Sequence, residues 1–258
     1  MMLRRILRDD RWKIAAYTAV LVGNLVATVL AYPTFKSNIT AIVNLIPNFA
    51  GFLKAVLTGA GGDKFAVFVA LNHFFKGANV IGPAAAIILA LGTIVREVEI
   101  GTIGMLLSRP ISRTRILLSF AVVHLLELTV PLFVVAAATP WLCERLIDEA
   151  VPLQPLLFAS LHASMFIAMV YALSLLLAVV LVEQLRLAAI AGGLCIVSFM
   201  LYFVNQTLPW SIYVLSSVPM YVDLASGKAM PWGAFAICAG ATVALLTTAV
   251  VVFRRKDY

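Results

Sequence analysis

The sequence predicts an all-α polytopic membrane protein: six transmembrane helices, an N-terminal interfacial helix and amphipathic outer helices. Three observations predict it. Of 258 residues, 63% are hydrophobic and 12% charged, against roughly 25% charged in an ordinary soluble domain. Apolar runs close to the ~20 residues that cross a bilayer recur along the chain. Lys and Arg gather in alternate connecting segments, as they do on the cytoplasmic side of membrane proteins. These features exclude a soluble enzyme, a disordered chain and a disulfide scaffold. The whole of 1–258 reads as a single transmembrane domain.

Residues 1–13, MMLRRILRDDRWK, are basic and mildly amphipathic, which suits a cytoplasmic interfacial helix. The first span follows over 14–32. Asp9 and Asp10 fit a cleaved signal peptide badly, so the span is retained. The outer segment 33–76 holds an amphipathic stretch in which Ile39, Ile42, Val43, Ile46, Phe49 and Leu53 recur at helical spacing. Asn44, Pro47, Asn48 and Lys54 interrupt it, so it lies at the interface. The loop GAGGDK, 59–64, imitates a phosphate loop but lacks the Walker spacing and hydroxyl. No segment supplies a nucleotide site.

The second span is expected over 77–95, after the breakers Gly77, Gly82 and Pro83. A polar cytoplasmic connector covers 96–115. The third span covers 116–138, the fourth lies within 156–182 and the fifth covers 187–205. An aromatic outer segment, 206–230, precedes the sixth span over 232–253. The inner segments of this map hold 13 of the 19 Lys and Arg residues. Both termini are basic, hence cytoplasmic, and the span number is even. The +7 net charge is therefore an orientation signal and needs no nucleic acid. Cys143, Cys195 and Cys238 have no metal or redox spacing.

The connector reads REVEIGTIGMLLSRPISRTR. Gly101 ends the helix that leaves the second span, and Thr102 caps a short helix with Ile103, Met105, Leu106 and Leu107. Pro110 stops it, and Ser112 caps the third span. A short helix held across the membrane mouth with charged ends can dock on a soluble partner.

The string E-x-E-x-G-T-I-x-x-L-L-S-R-P-I-S-R resembles the signature of ATP-binding-cassette (ABC) type 2 exporter permeases. The basic N-terminal helix, the six spans and the closing F-R-R-K-D-Y agree, so the resemblance covers the chain. Phe120 stands where many members carry Lys. The resemblance implies a permease subunit with no catalytic residue and no cofactor of its own. ATP and Mg would be held by two copies of a partner ABC ATPase, alongside a second permease subunit, identical or related. Glu97, Glu99, Gly101 and Thr102 would form the coupling helix and its entry, and Arg109, Pro110 and Arg113 its exit. The implied location is the inner, cytoplasmic membrane of a prokaryote. The cargo would be amphipathic or hydrophobic. Read without the resemblance, the same charges form a solvated loop with weak surface pairs.

Three intramembrane polar residues stand apart. Glu127 lies near the middle of the third span, with His124 three residues earlier on the same face. His162 lies in the fourth span among Ser160, Ala163 and Ser164. Such groups mark a transport pathway or lock helices together. A metal site joining His124 and Glu127 with His162 is a weaker reading, because the pair lacks a full ligand set, so no metal is expected. The competing functions are an intramembrane enzyme or a secondary transporter using His124, Glu127 and His162, or a membrane anchor without transport.

Overall fold

The basic N-terminal residues and the first apolar run form one unbroken helix. In the computed structural model, which describes residues 2–45, 64–108 and 110–257, helix α1 spans Met2–Leu45. Ile6, Asp10, Tyr17, Leu21, Leu25, Val29 and Tyr32 are among its buried residues. Their steps of three, four and seven trace one stripe of an α-helix. That stripe packs against the third span, so the N-terminal turns face protein as well as the interface. Most of the predicted outer stretch, together with the GAGGD part of the loop, lies outside the described residues.

The second span is longer than expected and starts before the glycine and proline breakers. A helix covers Phe65–Glu99. It comprises α2 (Lys64–Val69), a π-helical segment (Ala70–Ile81), α3 (Gly82–Leu91) and α4 (Ile94–Glu99). The π segment closes i→i+5 bonds and carries Gly77 without ending the helix. Pro83 falls in the first turn of α3, where its missing N–H costs little. Gly82 is needed for contact with the fourth span: a Cβ there would come within 2.6 Å of Ile167 Cγ1.

The connector helix α5 is Ile103–Leu107. The third span, α6, is Arg113–Ile147. Ser112 caps it, accepting a bond from the Arg115 amide at 3.3 Å. It runs past the predicted end at 138 because Pro131 and Pro140 sit inside it without stopping it. Asp148, at φ +55°, closes it in a left-handed cap. Helix α7 is Leu153–Val180, α8 Gln184–Tyr202 and α10 Trp232–Arg255. Between α8 and α10 lie two 3-10 turns, Leu208–Trp210 and Ile212–Ser216, and helix α9, Val218–Ala225. No strand occurs among the described residues.

Helix α7 is the centre. It packs on α10, α6, α3 and α8, and 72% of its most apolar window is buried against 17% for α10. The outer faces remain apolar: Val122, Leu126, Val130 and Val134 of α6 repeat every four residues and are exposed. Water would not tolerate such stripes on several helices, whereas lipid does. Six helices are long and apolar enough to cross a bilayer. The chain is a multi-pass membrane protein.

Candidate functional site

Two places gather polar side chains. The first lies where α1 crosses α6. His124 is fully buried and makes contacts with both ring nitrogens. Nε2 stands 3.0 Å from Asp10 Oδ2, and Nδ1 stands 2.9 Å from the Tyr171 hydroxyl. A carboxylate only accepts, so Nε2 carries the proton and Nδ1 accepts from Tyr171. The other Asp10 oxygen takes a 2.6 Å bond from Lys13 Nζ. Tyr17 on α1 donates to the Leu128 carbonyl at 3.2 Å, which fixes the two helices in register.

Glu127 completes the cluster in an unusual way. Its residue surface is 6% exposed, yet neither carboxylate oxygen has a hydrogen-bond partner. One donor atom from each of Asp10, His124 and Glu127 lies within 4.8 Å of the others. Glu127 and Lys13 also reach the wall of a cavity of about 340 Å³ between α1 and the second span. Ile14, Tyr17, Val20, Ile81, Ala85 and Ile88 supply apolar walls.

His162 stands elsewhere. Its Nε2 donates to the Leu215 carbonyl at 2.9 Å and its ring meets Tyr221 edge-on. Tyr171, the partner of His124, is nine residues further along α7, which is about 13.5 Å of helix. The joint use of His124, Glu127 and His162 at one centre is therefore not what the geometry offers. The third member beside His124 and Glu127 is Asp10. The sequence contained a signal for it: Asp10 lies on the stripe Ile6, Asp10, Tyr17, Leu21 that faces the bundle. Assigning 1–13 to a surface helix hid it.

The second place is the connector. Glu97 accepts from Arg5 Nη2 at 3.2 Å and from the Thr102 hydroxyl at 2.6 Å. The Thr102 amide also bonds the Glu97 carbonyl at 2.9 Å, closing the end of α4. Gly101 makes the turn at φ +73°, a conformation that favours glycine. Glu99 Oε2 accepts from the Gln184 amide at 3.1 Å, capping α8 from a distance. Arg113 Nη1 donates to the carbonyls of Phe253 at 3.2 Å and Lys256 at 2.6 Å. Lys256 Nζ in turn bonds the Val179 and Val180 carbonyls at the end of α7. Pro110 is exposed. Arg109 lies outside the described residues.

These bonds fix the connector to three other helices while leaving an apolar edge outside. Ile100 is 56% and Met105 73% exposed. They flank a groove of about 420 Å³ shared with Arg5, Asp9, Arg96 and Glu97. Nothing in the sequence links Arg5, one of the inner basic residues, or Gln184 to the connector, because neither carries a local motif and both act through tertiary contacts.

Residues 24–258 match the family model described as "Protein of unknown function (DUF2705)". The match includes the connector, His124 and Glu127, while Asp10 and Lys13 precede it. No curated protein matches the chain.

Proposed function

We propose, from the premise that the chain belongs to the DUF2705 family of proteins of unknown function, that it is the membrane-spanning permease subunit of an ABC exporter. The observation that carries this reading is the connector: a five-residue helix, Ile103–Leu107, whose flanks are tied to α1, α8 and α10 through Glu97, Glu99 and Arg113, with Ile100 and Met105 exposed along it. An element that transmits motion must be rigidly linked to what it moves and must offer a surface to what moves it. The salt bridge Arg5–Glu97, the Glu99 cap on α8 and the Arg113 grip on the chain end meet the first need. The apolar edge meets the second.

In this reading, both termini are cytoplasmic, and two partner ATPase subunits bind ATP and Mg. A second permease subunit, identical or related, completes the membrane domain in a prokaryotic inner membrane. ATP binding favours one of two arrangements of the spans through differential contacts at the connector. The chain itself hydrolyses no ATP and binds no nucleic acid. An amphipathic or hydrophobic cargo suits the apolar groove between α1 and the second span.

The test is co-expression with an ABC ATPase sought in the adjacent coding sequences. A Met105→Cys variant should cross-link to that ATPase, and proteoliposomes holding both should show ATP-driven flux. ATP turnover by the isolated chain would overturn the reading.

A proton-driven transporter is the second reading, favoured by the cluster of Asp10, His124 and Glu127. It would move cargo under a pH gradient without ATPase and would stop in Glu127→Gln.

A further inference from the structure

The geometry points to a divalent transition-metal site built by Asp10, His124 and Glu127, joining the first and third helices. Three features of the cluster carry it, and none depends on the exporter reading.

The first is the donor set. One imidazole nitrogen and two carboxylates offer atoms within 4.8 Å of one another, and all three residues are buried. Donors about 2.1 Å from a tetrahedral centre stand about 3.4 Å apart. The Nε2–Oδ2 pair is already at 3.0 Å, so Glu127 closes the set by turning its own side chain. Three protein ligands leave a fourth position for water. A mixed nitrogen and oxygen set suits Zn2+ and its first-row neighbours; Mg2+ and Ca2+ favour oxygen alone, and Cu(I) favours sulfur.

The second is the outer contacts. Metal-bound histidines hold their other nitrogen on a neighbouring group, and ligating carboxylates are themselves hydrogen-bonded. His124 Nδ1 is held by the Tyr171 hydroxyl at 2.9 Å, and the second oxygen of Asp10 is held by Lys13 at 2.6 Å. On loading, the imidazole proton moves from Nε2 to Nδ1 and stays there, hydrogen-bonded to the Tyr171 oxygen, while the Tyr171 hydroxyl rotates its own hydrogen away. Nε2 is then free to ligate, and no proton is lost from the ring.

The third is Glu127. A buried carboxylate with no hydrogen bond to either oxygen is costly. It lies beside a second carboxylate, Asp10, whose charge Lys13 already answers. A dication here supplies what Glu127 lacks.

The experiment uses the full chain in detergent micelles, stripped with chelator, given equimolar Zn2+ and dialysed. Elemental analysis should find about one ion per chain. Co2+ in its place should give the visible absorption of a four-coordinate site. Glu127→Gln should lose the ion. Because the Glu127 carboxylate makes no hydrogen bond, this variant keeps its fold, which circular dichroism checks. His124→Ala should also lose it, and Tyr171→Phe should weaken Zn2+ affinity about 10- to 100-fold. His162→Ala, which alters a different buried histidine, should bind as wild type does. Failure of the wild type to retain Zn2+ overturns the proposal. So does equal retention by wild type and Glu127→Gln.

Discussion

His124 and Asp10 lie 114 positions apart in the chain and meet with Nε2 and Oδ2 separated by 3.0 Å. The contact joins α1 to α6, and it does so through a charge that burial makes costly to leave alone. Tyr171 extends it to α7 through the other ring nitrogen. The bonded side chains Asp10, His124 and Tyr171 thus belong to three different helices, so the pair sets helix positions as well as local chemistry.

Replacing His124 with Ala removes two hydrogen bonds and leaves the Tyr171 hydroxyl and one Asp10 oxygen buried without partners. The expected loss of stability is about 1–3 kcal/mol per stranded group. Asp10→Asn should cost less, since an amide still fits the site. A double-mutant cycle, read by thermal or denaturant unfolding in micelles, should give a coupling of at least about 0.5 kcal/mol. Additive effects would contradict a direct contact.

Gly82 faces Ile167 closely enough that an added Cβ would fall 2.6 Å from Cγ1. Gly82→Ala should therefore separate α3 from α7 and destabilise by about 1–3 kcal/mol, as overpacking does. Ile167→Val alone costs about 0.5–1.5 kcal/mol by loss of a methyl group. Combined, the two changes should cost somewhat less than their sum, because valine lacks the Cδ1 atom that also crowds the new methyl, although Cγ1 stays. Unfolding midpoints of the two single variants and the double variant decide it.

Hydrophobic runs and charge placement made the six spans legible, because both follow from the bilayer itself. The ends of the spans were less so. Gly77 and Pro83 read as breakers, yet a π segment carries the first and a helix first turn absorbs the second. Pro131 and Pro140 likewise fail to stop α6. Within a packed bundle, neighbouring helices compensate what a lone helix would lose. The connector showed its cap at Ser112 because capping is local, whereas Thr102 stands at the start of α5 without capping it and turns its hydroxyl back to Glu97. Its ties to Arg5, Gln184 and Phe253 did not show, since no spacing rule links residues so distant. His124 and Glu127 stood out as polar residues in an apolar span; Asp10 did not, because a basic surface segment is an ordinary place for an aspartate.

Arg113 holds the end of the chain to the start of α6 through the carbonyls of Phe253 and Lys256. Arg113→Ala should cost about 1–3 kcal/mol, because those carbonyls lose charge-assisted bonds. Arg113→Lys keeps the charge but not the planar fork, so it should recover only part of the loss. If the ATPase reading holds, both variants still bind the ATPase but transmit its motion less well. ATPase co-purification together with flux separates this from a docking role, in which binding itself would fall.

Met105 and Ile100 give the opposite prediction. Both side chains are largely exposed, so their replacement by Glu disturbs little internal packing and should change stability by no more than about 0.5 kcal/mol. If the connector seats in a groove on the partner ATPase, the same changes bury an unpaired carboxylate at that interface, which costs several kcal/mol of association. The expected result is a folded, monodisperse membrane subunit that no longer retains the ATPase and shows no ATP-driven flux. Glu97→Gln should behave differently. It keeps an oxygen for Thr102 but gives up the ion pair with Arg5, so ATPase binding should persist while flux falls. Retained binding in Met105→Glu and Ile100→Glu together would place the docking surface elsewhere on the chain.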